Sequence, residues 1–277
     1  MDSRLTPEHE ALRKTVASFA QDVVAPVIGD YYMRGEFPYP LVAQMAQMGL
    51  FGLPFPEEYG GMGGDYTALC VAIEELARVD SSLAITLEAG VSLGAMPIYR
   101  FGSDELKAEW LPKLTSGQML GAFGLTEPGA GSDAGGTQTT AVLDGEEWVI
   151  NGTKAFITNS GTDITGLITV TAVTGEHNGR KEISSILVPS GTPGLTIAAP
   201  YKKVGWDASD THEVNLVDVR VPASNLVGER GRGYAQFLSI LDGTVQAPGV
   251  FTGPPRWMVF GETMGRVARR LQSGEEE

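Results

Sequence analysis

The segment FGLTEPGAGSDAGG, Phe123 to Gly136, puts five glycines, a proline and two carboxylates into one loop directly after a short apolar run. Gly129, Gly131 and Ala134 match the G-x-G-x-x-A spacing of a dinucleotide-binding turn. That reading fails on context. Such a turn opens a helix whose N-terminus faces a pyrophosphate, whereas this one runs into GGTQTTAV, glycine and β-branched residues that favour a strand. A Walker loop fails too, since no Gly-Lys-Ser/Thr follows. Two readings remain: a tight surface turn, or a loop whose backbone N–H groups and hydroxyls (Thr126, Ser132) cradle an anionic ligand without a lysine. Glu127 and Asp133, as turn carboxylates, are expected to cap backbone N–H groups rather than act as catalytic acids.

On the N-terminal side of this loop the chain reads as helix. Thr6 is an N-cap and Pro7 the first helical residue, and Leu12, Val16, Phe19 and Val23 fall on one stripe. The same period recurs in PLVAQMAQMGL, YTALCVAIEELARV, SLAITLEAGVSLGAMPIY and SDELKAEWLPKL. This predicts a helical unit over residues 1–119. On the C-terminal side the period switches to alternation. TTAVLDGEEWVINGTKAFIT carries two hairpin signals, Asp144-Gly145 and Asn151-Gly152, and LITVTAV, EISSILVP, LTIAAP and THEVNLVDVRVP read as further strands. An antiparallel barrel or sandwich is expected over 120–231. YAQFLSIL then turns helical, with Tyr234, Phe237, Leu238 and Leu241 on one side, and opens a segment 232–277. The fold class is α+β, helical domain first.

Composition sets outer bounds. A chain of 277 residues suggests about two domains, and a net charge of -14 argues against nucleic acid or an anionic membrane as partner. No apolar stretch approaches the length that crosses a bilayer, and the N-terminus has no apolar leader region, so a cytoplasmic protein is expected. The single cysteine, Cys70, sits at an apolar helix position and reads as core. His9, His177 and His212 show no zinc spacing and read as solvated; no metal site is expected. Phe156 on an alternating strand reads as a core aromatic and Thr158 as a strand threonine. ASDTHE reads as a solvated hairpin end.

A helical domain, then T-E-P-G-A-G-S-D, then I-N-G-x-K-x-[WF]-I-T-N, then VGWDASDTHEVNLVDVRVP and LDG, in that order, resembles the acyl-CoA dehydrogenase family. The resemblance runs from about Leu5 to Asp242. It implies FAD-dependent α,β-dehydrogenation of a short or branched acyl-CoA, as in fatty acid β-oxidation, with electrons passing to an electron-transfer flavoprotein-like acceptor. By the same resemblance Thr126 binds the flavin ring, Phe123 and Leu125 line it, and Ser132 lies where FAD pyrophosphate and substrate meet, Gly131 allowing close approach. Phe156 stands where the family has tryptophan and would pack on the isoalloxazine, while Thr158 would donate toward flavin N5. Asp242 matches a CoA-contacting aspartate.

The pattern breaks after Asp242. Val245 stands where the family has an arginine for the CoA nucleotide, and Pro248, Gly249, Gly253, Pro254 and Pro255 cannot continue a long helix. The family's basic glutamate normally lies in a C-terminal helical domain, so no catalytic base is assigned; Glu262 reads as a solvated helix residue. The expectation is a family member cut short, its tail resembling an out-of-frame reading, with impaired activity and a homo-oligomer only where the fold is completed. A non-catalytic remnant binding FAD or acyl-CoA is the alternative, as are acyl-CoA oxidases and flavin monooxygenases, which share the architecture.

Overall fold

The computed structural model describes the backbone of residues 5–245 and side chains of residues 5–240. Helix α1 (Pro7–Phe19) starts as its cap requires: Thr6 Oγ1 accepts from the His9 amide at 3.2 Å, and His9 Nδ1 reaches back to the Thr6 amide at 3.4 Å. A π-helical stretch, Ala20–Val24, leads into α2 (Ala25–Arg34). The wider turn rotates the buried face, so Val16, Phe19, Ala20 and Val24 are buried while Val23, placed on the stripe by the 3.6-residue period, is only partly so. After α3 (Tyr39–Gln47), Asp65 caps α4 (Tyr66–Ala77) and Asp80 caps α5 (Ser81–Glu88), each accepting the N3 amide at 2.9 and 2.8 Å. A second π-helical stretch, Ala89–Ala95, joins α5 to α6 (Met96–Phe101), and α7 (Asp104–Thr115) follows behind the Ser103 cap.

The continuous run Ser81–Phe101 corrects one expectation. Its 21 residues and mean hydropathy of 1.3 are long and apolar enough to cross a bilayer, but 78% of that window is buried inside the protein, which marks the central core helix. Cys70 is only partly buried.

The second layer is one eight-stranded sheet. Strands β1 (Leu120–Gly124), β2 (Thr140–Asp144), β3 (Glu147–Thr158), β4 (Thr165–His177), β5 (Arg180–Pro189), β6 (Leu195–Ile197), β7 (Thr211–Pro222) and β8 (Leu226–Val227) run in the order β6-β7-β3-β2-β4-β5-β8, with β1 beside β4. Pairing is mostly antiparallel, but β1 and β2 both lie parallel to β4, because β1 enters from the helical layer and not through a hairpin. Inward residues of β4–β5 and β3–β7, including Ile168, Ile186, Ile150 and Val219, share one core, so the sheet curls over on itself. Asp144-Gly145 makes the expected β2–β3 turn. Asn151-Gly152 does not: it lies inside β3 at a register shift, where a Cβ on Gly152 would collide with the Thr139 side chain.

Two of the contacts that join the layers lie at the same end of the sheet. A Cβ on Gly94 would lie 2.6 Å from the Gly121 carbonyl, so only glycine lets β1 rest directly on the backbone of the central helix. Helix α8 (Gly233–Val245) returns across the same end, with Phe237 stacked on Phe123 at 4.9 Å and Arg100 Nη1 donating to the Ser239 carbonyl at 2.8 Å. The readings of Leu241, Asp242 and Val245 as side chains, and those of Pro248 through Glu262, fall outside the described residues.

Candidate functional site

The glycine-rich loop is pinned by a buried ion pair that sequence reasoning half found. Glu127 does cap backbone: its two oxygens accept the Gln138 amide at 2.7 Å and the Thr139 amide at 3.0 Å. Its second partner is Lys154 of β3, whose Nζ is 2.7 Å from Glu127 Oε1 and also donates to Thr171 Oγ1 at 3.1 Å and the Leu125 carbonyl at 3.3 Å. Lys154 is 0% and Glu127 5% exposed. Burial pushes the Lys154 ammonium down to about 8, against the pull of Glu127. Burial raises Glu127 as well, but the hydrogen bonds from Lys154, Thr139 and Gln138 outweigh it and hold the carboxyl below its ordinary value. The Ala155 amide donates to the Thr126 carbonyl at 2.8 Å. The T-E-P segment and β3 are thereby stitched together at consecutive residues.

Just beyond this stitch β3 changes character. The β3–β7 register slips between Lys154 and Ile157, and Phe156 sits at φ 60°, which a non-glycine residue reaches only at a cost. The bulge turns the ring outward. Phe156 is 65% exposed and stacks on Tyr201 at 4.7 Å, so it is not the core aromatic that strand alternation suggests. Asn159 also has positive φ, 61°, and its Nδ2 donates to the Thr86 carbonyl of α5 at 3.1 Å. Thr158 is held between these two strained residues.

A cleft of about 140 Å³ opens here. It brings together Phe123, Leu125, Thr126, Phe156 and Thr158, five of the residues singled out from the sequence. Gly131 and Ser132 lie away from it, with Ser132 exposed at the outer bend of the loop. The opposite wall was not anticipated: Ala89 and Leu93 come from the π-helical stretch and Phe237 from α8. No pattern in the loop or strand points to them, because they come from helices far away in sequence that only the packing of helix on sheet brings to the cleft. Glu88, next to Ala89, is pushed up to about 7 by burial, with Ser92 opposing. The walls are apolar and aromatic, and the hydroxyls of Thr126 and Thr158 take no partner among the described residues. Such a surface suits a flat, partly apolar ring that carries hydrogen-bond acceptors on its edge.

Two family models match the chain: the acyl-CoA dehydrogenase N-terminal domain over residues 6–118 and the acyl-CoA dehydrogenase middle domain over residues 122–219. The chain belongs to the acyl-CoA dehydrogenase family. It is 49% identical over 244 residues to the probable acyl-CoA dehydrogenase YngJ of Bacillus subtilis, covering 88% of this chain and 64% of that protein, so it spans a little under two thirds of that relative's length. Among solved structures, butyryl-CoA dehydrogenase from Megasphaera elsdenii superposes with a TM-score of 0.83 at 34% identity, over 98% of this chain and 77% of the other. An acyl-CoA dehydrogenase complexed with FAD from Bacillus anthracis gives a TM-score of 0.80 at 37% identity, over 87% and 40%.

Proposed function

We propose that the cleft is one wall of a flavin site and that the protein is an FAD-dependent oxidoreductase acting on short-chain or branched acyl-CoA thioesters. The observation that carries this reading is the convergence of Thr126, Phe156 and Thr158 on Phe123 in one cleft, from two segments locked together by Glu127 and Lys154. FAD, when bound, supplies a hydride acceptor for the β-carbon of the acyl chain. The chain's own residues bind and orient: Thr126 and Thr158 hydrogen-bond the ring edge, Phe156 covers one face, and Phe123, Leu93 and Phe237 exclude water. Ser132 contacts the CoA portion, and Asp242, whose side chain lies outside the described residues, is assigned to it by family resemblance alone. No carboxylate lines the cleft among the described residues, and no catalytic base is assigned. The electron acceptor is an electron-transfer flavoprotein-like protein, with a homo-oligomer as the working form only where the fold is completed.

The test is the visible spectrum of the purified chain saturated with FAD and freed of excess by gel filtration. Retained flavin absorbance is expected. Thr126→Val and Thr158→Val should each lower retention while leaving the far-UV circular dichroism unchanged, since a buried acceptor on the ring loses its donor. Unchanged flavin content in both variants rules the assignment out.

A further inference from the structure

Behind the cleft, the end of β3 and the start of β7 form a buried polar knot that the proposed chemistry does not use. His212 is 7% exposed, which corrects its reading as a solvated side chain and ASDTHE as a solvated hairpin end. Both ring nitrogens face oxygen acceptors: Nε2 lies 2.6 Å from Asp210 Oδ1, and Nδ1 lies 2.7 Å from the Ala198 carbonyl. A neutral imidazole carries one N–H and would aim a lone pair at one of these oxygens. Only the imidazolium donates to both.

The pair is wired to the cleft wall. Asp210 Oδ2 accepts the Gly161 amide at 2.8 Å, and the Asp210 carbonyl accepts the Asn159 amide at 3.2 Å. Gly161 lies flat against the ring, where a Cβ would collide with Nε2. In the β3–β7 ladder Ile157 pairs with His212 and Thr158 with Thr211. Asn159, at its unfavourable φ, is thus held from one side by Asp210 and from the other by α5.

We propose that His212, as an imidazolium, is a positioning residue that clamps the Asn159–Gly161 turn through Asp210 and so fixes Thr158 at the cleft wall. The link to flavin rests on the function proposed above; the charge state does not. The charged groups around the ring are Asp210, whose hydrogen bond favours the proton most, and Lys203, between β6 and β7, which opposes it. Lys203 feels Asp207 as well as Asp210, and Tyr39 of α3 lies near Asp163 and Asp210. The balance raises the imidazole above its ordinary value of 6.5. The clamp is therefore fully formed below the unfolded value and is lost as pH rises through the raised folded one.

The experiment is a pH titration of the full chain labelled with 15N-histidine, with resonances assigned through His9→Gln, His177→Gln and His212→Gln. Two protonated-nitrogen shifts for His212 are expected at pH 6.5. Exchange of the Gly161 and Asn159 amides, corrected for intrinsic pH dependence, should rise as that signal titrates. With FAD bound, the flavin dissociation rate should follow the same curve, and the inflection should vanish in His212→Gln. A neutral tautomer at pH 6.5 overturns the charge state, and amide exchange that ignores the titration overturns the clamp. Flavin dissociation indifferent to it overturns the positioning of Thr158. A chain that holds no flavin refutes the proposed function, while the shifts and amide exchange still decide the clamp.

Discussion

Replacing Lys154 by methionine removes one charge from the interior at nearly constant volume. The Glu127 carboxylate then keeps its amide donors, Gln138 and Thr139, but loses its cation, and Thr171 Oγ1 and the Leu125 carbonyl each lose a donor. Breaking a buried ion pair from one side costs about 3–5 kcal/mol. The two remaining charge-assisted bonds to Glu127 place this variant at the lower end, about 3 kcal/mol. Glu127→Gln leaves the opposite problem, an ammonium already lowered to about 8 by burial and now without its counter-ion. It sheds its proton in the folded state near neutral pH. The unfolded state then binds more protons than the native one, so the penalty of this variant shrinks as pH rises through neutrality to about 8, above which Lys154 of the parent protein titrates too and the penalty levels off. The double variant should be less destabilised than the two singles added, by about 2 kcal/mol, because the removed partners were each other's main stabilisation. Urea unfolding followed by tryptophan fluorescence, with Trp148 reporting on the sheet, measures all four proteins. A Lys154→Met cost below about 1 kcal/mol, or additivity of the two changes, would refute the claim that this pair fastens the T-E-P segment to β3.

Three further outcomes follow from other parts of the molecule. Gly94→Ala should lower stability by roughly 1–3 kcal/mol, because its Cβ meets the Gly121 carbonyl at 2.6 Å and the helix and β1 must part; an unshifted thermal midpoint would contradict that contact. Phe156→Gly relieves a positive φ worth about 1–3 kcal/mol and loses a ring stack with Tyr201 worth about 0.5–1.5 kcal/mol, so stability should stay level or rise while flavin retention falls. A large loss of stability would mean that the ring is packed, not presented. Glu88 has its folded value raised from 4.5 to about 7, so ionising it costs the native state stability as pH rises through that window. Glu88→Gln should therefore stabilise the protein at pH 8 by up to about 3 kcal/mol and do nothing at pH 4, as read by unfolding midpoints at the two values.

Much of the fold was legible because it follows from periodicity. Thr6 caps α1 as its residue type dictates, and the strands sit where alternation places them apart from the Asn151-Gly152 turn, which β3 runs through. The misses have two physical origins. The π-helical stretches Ala20–Val24 and Ala89–Ala95 shift the helical phase by a residue, which a fixed 3.6 period cannot follow; the first moves burial from Val23 to Val24, and the second supplies Ala89 and Leu93 to the cleft. Long-range partners leave no local trace. Lys154 looks like any exposed strand lysine until Glu127, 27 positions away, is placed beside it, and His212 looks solvated until Ala198 and Gly161 close around it.

The local rules fail most densely where the candidate site stands. Within Lys154 to Gly161 the chain holds a buried cation, a ladder slip, two non-glycine residues at positive φ and a glycine pressed against an imidazole. Each departs from what a strand would adopt by itself, and each is held by a partner elsewhere: Glu127 on the loop, Tyr201 before β7, Thr86 on α5 and Asp210 at the β7 entry. Four separate anchors on eight residues hold far more than strand pairing needs. The geometry they maintain is one in which Phe156 faces outward and Thr158 stays fixed beside Thr126. Strain kept in place from several sides marks a surface shaped for a ligand more firmly than glycine content does, because a tight surface turn has no use for a buried ion pair beneath it.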